Sequence, residues 1–164
     1  MIHKHKCSPN YSHINMDKHW FLDYEAYQML CKVIIKEICI LRDGKCYNYF
    51  ITGPKSLSIE DSKTFQYQYN MHRLKWLFGD YRFNEAMMDI ALKLKSDAVY
   101  IKGNEKFQFL TNIFTSPNFI ELEHIPAFKY LNNCFQKRCG VRHGNHCARR
   151  KVYELRHYML NLHN

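Results

Sequence analysis

Residues 31–50 read Cys31-Lys-Val-Ile-Ile-Lys-Glu-Ile-Cys-Ile40-Leu-Arg-Asp43-Gly44-Lys-Cys46-Tyr-Asn-Tyr-Phe50, and the fold class turns on them. Cys31 to Ile40 is rich in β-branched side chains. Asp43-Gly44 is a dipeptide that tolerates φ > 0 at both central positions of a tight turn. Strand-like composition resumes from Cys46 to Thr52 until Gly53-Pro54 stops it. The stretch predicts a β-hairpin.

Downstream, residues 55–80 have no clean period but carry Phe65, Tyr67, Tyr69, His72, Leu74, Trp76 and Leu77, a load that implies a packed connection. Phe83, Met87, Ile90, Ala91 and Leu94 recur at helical spacing, which predicts an amphipathic helix over Arg82 to Leu94. Ala98 to Ile101 suits a short buried strand. A second helix follows Gly103-Asn104 with Phe107, Leu110, Ile113 and Phe114, and Phe119 to Leu122 reads as another strand. From Ala148 to Leu162 a last helix aligns Val152, Leu155, Tyr158, Met159 and Leu162. Strands alternating with helices after a hairpin predict an α/β mixed sheet, antiparallel at one flank and parallel at the centre, with helices around it. Upstream, residues 1–20 lack a period and read as a basic, His-rich arm, leaving 21–164 as a single domain.

The chain has 164 residues, with 24 Lys+Arg against 15 Asp+Glu for a net charge of +9, and 46% of its residues are apolar. That composition excludes disorder throughout and matches one domain with a core. No apolar run reaches the roughly 18–20 residues of a membrane span, and the charged residues of Met1 to Cys7 have no apolar stretch behind them. The expectation is a soluble, intracellular protein, in cytoplasm or nucleus, without a disulfide scaffold. The positive balance makes a polyanion a plausible partner.

Between Leu131 and Lys151 the cysteines and histidines crowd together as Cys134, Cys139, His143, His146 and Cys147. Thiolate and imidazole are the donors that Zn²⁺ favours in tetrahedral structural sites. Cys139, His143 and Cys147 supply three ligands, and Arg138, Arg142, Arg149 and Arg150 nearby favour deprotonated thiols. A fourth ligand comes from Cys134, from His146, or from a strand across the fold.

The order of elements, with a carboxylate strand early and a last helix entered through His146-Cys147-Ala148, is similar to the DEDDh exonuclease branch of the RNase H-like fold. That family carries Asp-x-Glu in its first strand and His-x-Ala-x-x-Asp at its last helix. Glu37 matches the Glu, with Ile35 at the Asp position, while Lys151 stands at the closing Asp. Val99 to Leu110 resembles the middle strand and helix, with Lys102 and Lys106 where acidity is expected. Two-metal hydrolysis needs several carboxylates, so the resemblance implies that the Mg²⁺-dependent mechanism is lost.

A closer resemblance is to the Maelstrom domain, a degenerate member of that fold with a Glu-Cys-His-Cys zinc site in place of the acidic one. Glu37, Cys139, His143 and Cys147-Ala148 fall in its order, Phe50-Ile-Thr-Gly-Pro54 looks like its strand end, and His72 falls where it has a His before its first helix. Three residues separate Cys139 from His143 where that family has two, so His146 stays open as the ligand. The resemblance covers residues 30–162 and implies a closed, structural zinc tying the first strand to the last helix.

Three functions follow from these readings. In the first, a catalytically degenerate nuclease fold binds nucleic acid, most plausibly single-stranded RNA, through Lys102, Lys106, Arg138, Arg142, Arg149, Arg150 and Lys151, with Tyr47, Tyr49, Tyr67 and Tyr69 as stacking candidates. In the second, a divalent-metal-independent ribonuclease uses His72 as acid or base. The third is a zinc-stabilised protein-interaction module in small-RNA or transposon silencing, carried over from the Maelstrom resemblance.

Overall fold

The computed structural model describes residues 18–29, 32–55, 63–122 and 147–162. Five strands, β1 (Trp20–Met29), β2 (Lys32–Arg42), β3 (Lys45–Phe50), β4 (Ala98–Ile101) and β5 (Asn118–Glu121), form one sheet in the order β3-β2-β1-β4-β5. β1 pairs antiparallel with β2 and β2 with β3, whereas β1–β4 and β4–β5 are parallel. Four helices accompany it, α1 (Lys63–His72), α2 (Phe83–Leu94), α3 (Asn104–Ile113) and α4 (Ala148–Leu162). The expected α/β class with a mixed sheet and an antiparallel flank is the observed one, but the parallel pairs form the other flank and not the centre, because the central strand β1 is antiparallel to β2 and parallel to β4. No helix among the described residues is long and apolar enough to cross a membrane.

The hairpin turns where its dipeptide requires, with Asp43 at φ 49° and Gly44 at φ 72°. Two elements were not legible. The central strand β1 begins at Trp20, which is buried and not part of an arm. Helix α1 occupies part of the stretch read as a connection. Its only buried residues are Phe65 and His72, so it lacks the wide apolar stripe from which a helical period is recognised.

β1 is covered on both faces. Trp20, Leu22 and Tyr24 join Ile35, Ile38 and Ile40 of β2 in a core with Ala86, Met87, Ile90 and Leu94 of α2 and Leu110 of α3. Phe21 joins Cys39 and Leu41 in a second core with Ala148, Val152, Leu155 and Met159 of α4. Burying each large member of α4's stripe is worth on the order of 2 kcal/mol.

A bulge in β2 lets one strand serve both cores. Glu25 pairs with Glu37 and Ala26 with Ile35, so Lys36 is an extra residue on β2 and side-chain alternation shifts by one there. Ile35 and Ile38 therefore face the same core although three positions apart, while Glu37, Cys39 and Leu41 turn toward α4. Lys36 itself is 1% exposed. Its ammonium donates to the carbonyls of Ile51, Trp76 (2.6 Å) and Phe78 (2.7 Å), which ties the Leu74–Gly79 loop to the sheet. Burial pulls its pKa down to about 8.

Candidate functional site

The Glu37 side chain is fully buried on β2, not on the first strand as the resemblance implied, because β1 precedes it in the chain. One carboxylate oxygen accepts the backbone N–H of Ala148 at 3.0 Å, and the other accepts Nδ2 of Asn48 at 3.0 Å and lies 3.8 Å from Sγ of Cys147. Cys147 immediately precedes α4 and its Sγ accepts the N–H of Arg150 at 3.4 Å, acting as a sulfur cap on one of the helix's first amides. Two of the four expected metal ligands, 110 residues apart, therefore meet. A carboxylate oxygen and a thiol are both donors that zinc accepts. Cys134, Cys139, His143 and His146 lie outside the described residues, and among the described residues no group of three or more His, Cys, Asp or Glu is arranged to hold a metal.

The Asp-x-Glu pattern that the exonuclease resemblance placed at Ile35 and Glu37 is present on the first strand as Asp23-Tyr24-Glu25. Both residues face α4, and Glu25 lies in register with Glu37. These two carboxylates escaped the sequence reading. The signal was the Asp-x-Glu itself, hidden because residues 21–30 were not recognised as a strand.

Acidic side chains in such a row must be compensated. Lys106 of α3 sets its ammonium 2.5 Å from Oδ1 of Asp23 and 2.8 Å from the Tyr24 carbonyl. Lys151 of α4 bonds to Oε1 of Glu25 and lies 3.9 Å from Oδ2 of Asp23. Ala148 and Lys151 are three residues apart and so share one side of α4. A single helical turn thus covers three carboxylates, with an amide and the positive end of the helix dipole at Glu37 and an ammonium at Glu25 and Asp23.

Other expected contacts divide. Arg150 is buried and its Nε pairs with Glu154 at 3.1 Å. Arg149 stands half-buried on α4's first turn, while Arg138 and Arg142 lie outside the described residues. Lys102 follows the carboxyl end of β4, where burial first and the charge of Lys151 second lower its pKa. His72 is buried, its ring set edge-on to Tyr27 at 4.6 Å, and its Nδ1 accepts the Leu74 amide at 3.1 Å, so that nitrogen cannot take a proton without losing the bond. Tyr49 donates to Asp89 at 2.6 Å and Tyr69 stacks on Phe65. Tyr47 packs near Trp20. Tyr67, at 68% exposure, is the one of the four tyrosines left at the surface.

β4 pairs with β1 only at Trp20 and Phe21, so the rest of β1 has an open edge. α1 lies along it, where the Gln68 amide bonds to both the N–H and the carbonyl of Gln28, at 2.5 and 2.9 Å. Between α1, β1, α3 and α4 a groove of about 540 Å³ remains, lined by Tyr24, Glu25, Tyr67, Met71, Lys106 and Lys151 among others. It opens beside the part of β1 that β4 leaves unpaired, next to the first turn of α3. No known protein family, curated protein or solved structure matches the chain.

Proposed function

We propose that this chain is a catalytically degenerate, RNase H-like domain that binds single-stranded RNA in the groove beside β1, with a structural zinc joining β2 to α4. The observation that carries the reading is the placement of Lys106 and Lys151 against Asp23 and Glu25. Where a two-metal nuclease needs carboxylates free to hold divalent cations, here ammonium groups neutralise them. The sheet order, with an antiparallel β3-β2-β1 unit followed by parallel β4 and β5, agrees with the RNase H-like reading.

Lys106 and Lys151 line the groove with Glu25 and Glu105, and Lys102 and Asp23 lie close by, so each lysine there faces a carboxylate neighbourhood that a phosphate would share. Burial first and the neighbouring Lys151 charge second depress Lys102, and a phosphate set between the two lysines would relieve the repulsive part. Tyr67 at the rim offers a face on which a base can stack, an interaction that does not discriminate among bases and suits single strands. Glu37 and Cys147 would hold zinc together with Cys139 and either His143 or His146. A metal closed by four protein ligands contributes folding energy and no open position for substrate.

The test is fluorescence anisotropy of a labelled single-stranded RNA of mixed sequence, with wild type and Tyr67→Ala, from low to physiological salt. The expected results are binding that weakens with salt, a several-fold loss in the variant, and RNA left intact in Mg²⁺. Cleavage that requires Mg²⁺ would overturn the degenerate reading, and absence of binding at low salt would overturn the RNA reading in favour of a protein-interaction module.

A further inference from the structure

The hairpin also holds a pair of sulfurs, separate from the carboxylate–thiol contact of Glu37 and Cys147. Sγ of Cys39 and Sγ of Cys46 lie 2.8 Å apart, against about 2.05 Å for a bonded pair. The register explains how they meet. Cys46 is opposite Leu41, and Asn48 is opposite Cys39, so neither side chain faces its partner directly. Yet Asn48 reaches Glu37 and Cys46 reaches Cys39, each leaning diagonally by two residues along β2. On this twisted pair both diagonals close to contact. Cys39 is wholly buried whereas Cys46, packed against the same core, is half-buried, so Cys46 is the residue of the pair that a small oxidant approaches first.

We propose that Cys39 and Cys46 are a reversible redox site that closes to a disulfide under a peroxide. Cys46 Sγ attacks one oxygen of hydrogen peroxide, the O–O bond breaks, and the products are a sulfenic acid and one water. Cys39 Sγ then displaces the sulfenic oxygen, which leaves with the Cys39 proton as a second water as the S–S bond forms. Two thiols lose two electrons in all, and the peroxide gains them. A small dithiol reverses the step by exchange, entering at the less buried residue, Cys46.

The experiment treats the purified full chain with hydrogen peroxide at neutral pH, alkylates the remaining thiols after denaturation, and maps tryptic peptides by mass spectrometry. Cleavage after Lys36, Arg42 and Lys45 separates the two cysteines. The expected product is a linked pair of peptides carrying Cys39 and Cys46, lost on treatment with dithiothreitol. In Cys46→Ser, which changes only the half-buried residue of the pair, Cys39 should be recovered alkylated. Recovery of both cysteines as alkylated thiols from oxidised wild type would overturn the proposal, as would linkage of either to another cysteine in their place.

Discussion

Glu25 and Glu37 face each other in register across β1 and β2, on the side of the sheet that α4 covers. Like charges directly opposite in a sheet repel, and the first turn of α4 answers both, with the Ala148 amide on Glu37 and the Lys151 ammonium on Glu25. The docking of the last helix is therefore electrostatic at its start and apolar along its length.

Removing the ammonium from this arrangement exposes its worth. Lys151→Ala should lower stability by about 1–2 kcal/mol, since the lysine is partly solvated but Asp23 behind it is not. Lys151→Asp should cost more in EDTA, because a third carboxylate then joins Asp23 and Glu25. Millimolar Mn²⁺ or Mg²⁺ should raise its melting temperature and leave that of the wild type unchanged. Thermal unfolding with and without the cation decides this.

Zinc content provides a separate check on the Glu37–Cys147 contact. Elemental mass spectrometry should find one zinc per chain in wild type, lost in Cys147→Ser and in Glu37→Ala. Chelation of wild type should lower its unfolding midpoint. Glu37→Ala also strips the Ala148 amide and Asn48 of their acceptor and should cost about 2–3 kcal/mol even in metal-free protein.

Lys36 predicts a signed pH dependence. Its folded pKa of about 8 lies below the roughly 10.4 of an exposed lysine, so the unfolded chain binds the proton more tightly. Its contribution to stability therefore rises with pH between those two values. Lys36→Met should be less stable at neutral pH by about 1–3 kcal/mol, because three carbonyls lose their donor. The gap between wild type and variant should widen from pH 8 to 10 in urea titrations.

The Leu74–Gly79 loop makes a steric prediction. A Cβ on Gly79 would lie 2.2 Å from the Thr52 backbone nitrogen and 2.4 Å from the Ile51 carbonyl carbon, whereas a Cβ on Gly44 meets nothing within 4 Å. Gly44→Ala should cost only the left-handed strain of about 1 kcal/mol. Gly79→Ala must separate the loop from the sheet and should lower the urea midpoint considerably further.

Local chemistry made much of the fold legible. Asp43-Gly44 fixed the hairpin turn, Ala98–Ile101 is the observed β4, and α2 and α4 announced themselves by apolar stripes. β1 escaped because it is central and buried on both faces, so Trp20 to Tyr24 shows no alternation, and Asp23 reads as a break until Lys106 is seen beside it. The bulge at Lys36 was equally hidden, since an extra residue changes pairing without changing composition. At the site, Glu37 and Cys147 were reached through a family pattern, although Glu37 was assigned to the wrong strand. The basic residues were read as a phosphate-binding set, and the sequence does not show that Arg150 also pairs with Glu154 or that Lys106 and Lys151 also hold carboxylates. Which charges are spent internally is a property of tertiary contact that sequence spacing does not carry.

The most direct test of the account is to map where single-stranded RNA touches the chain, by photo-crosslinking 4-thiouridine RNA and identifying the modified peptides. The account predicts crosslinks in α1 at Tyr67 or Met71 and in the segment from Lys102 to Lys106, all reduced by Lys102→Glu. Crosslinks confined to the exposed aromatics Phe78, Tyr81 and Phe83, with none at the groove, would contradict it.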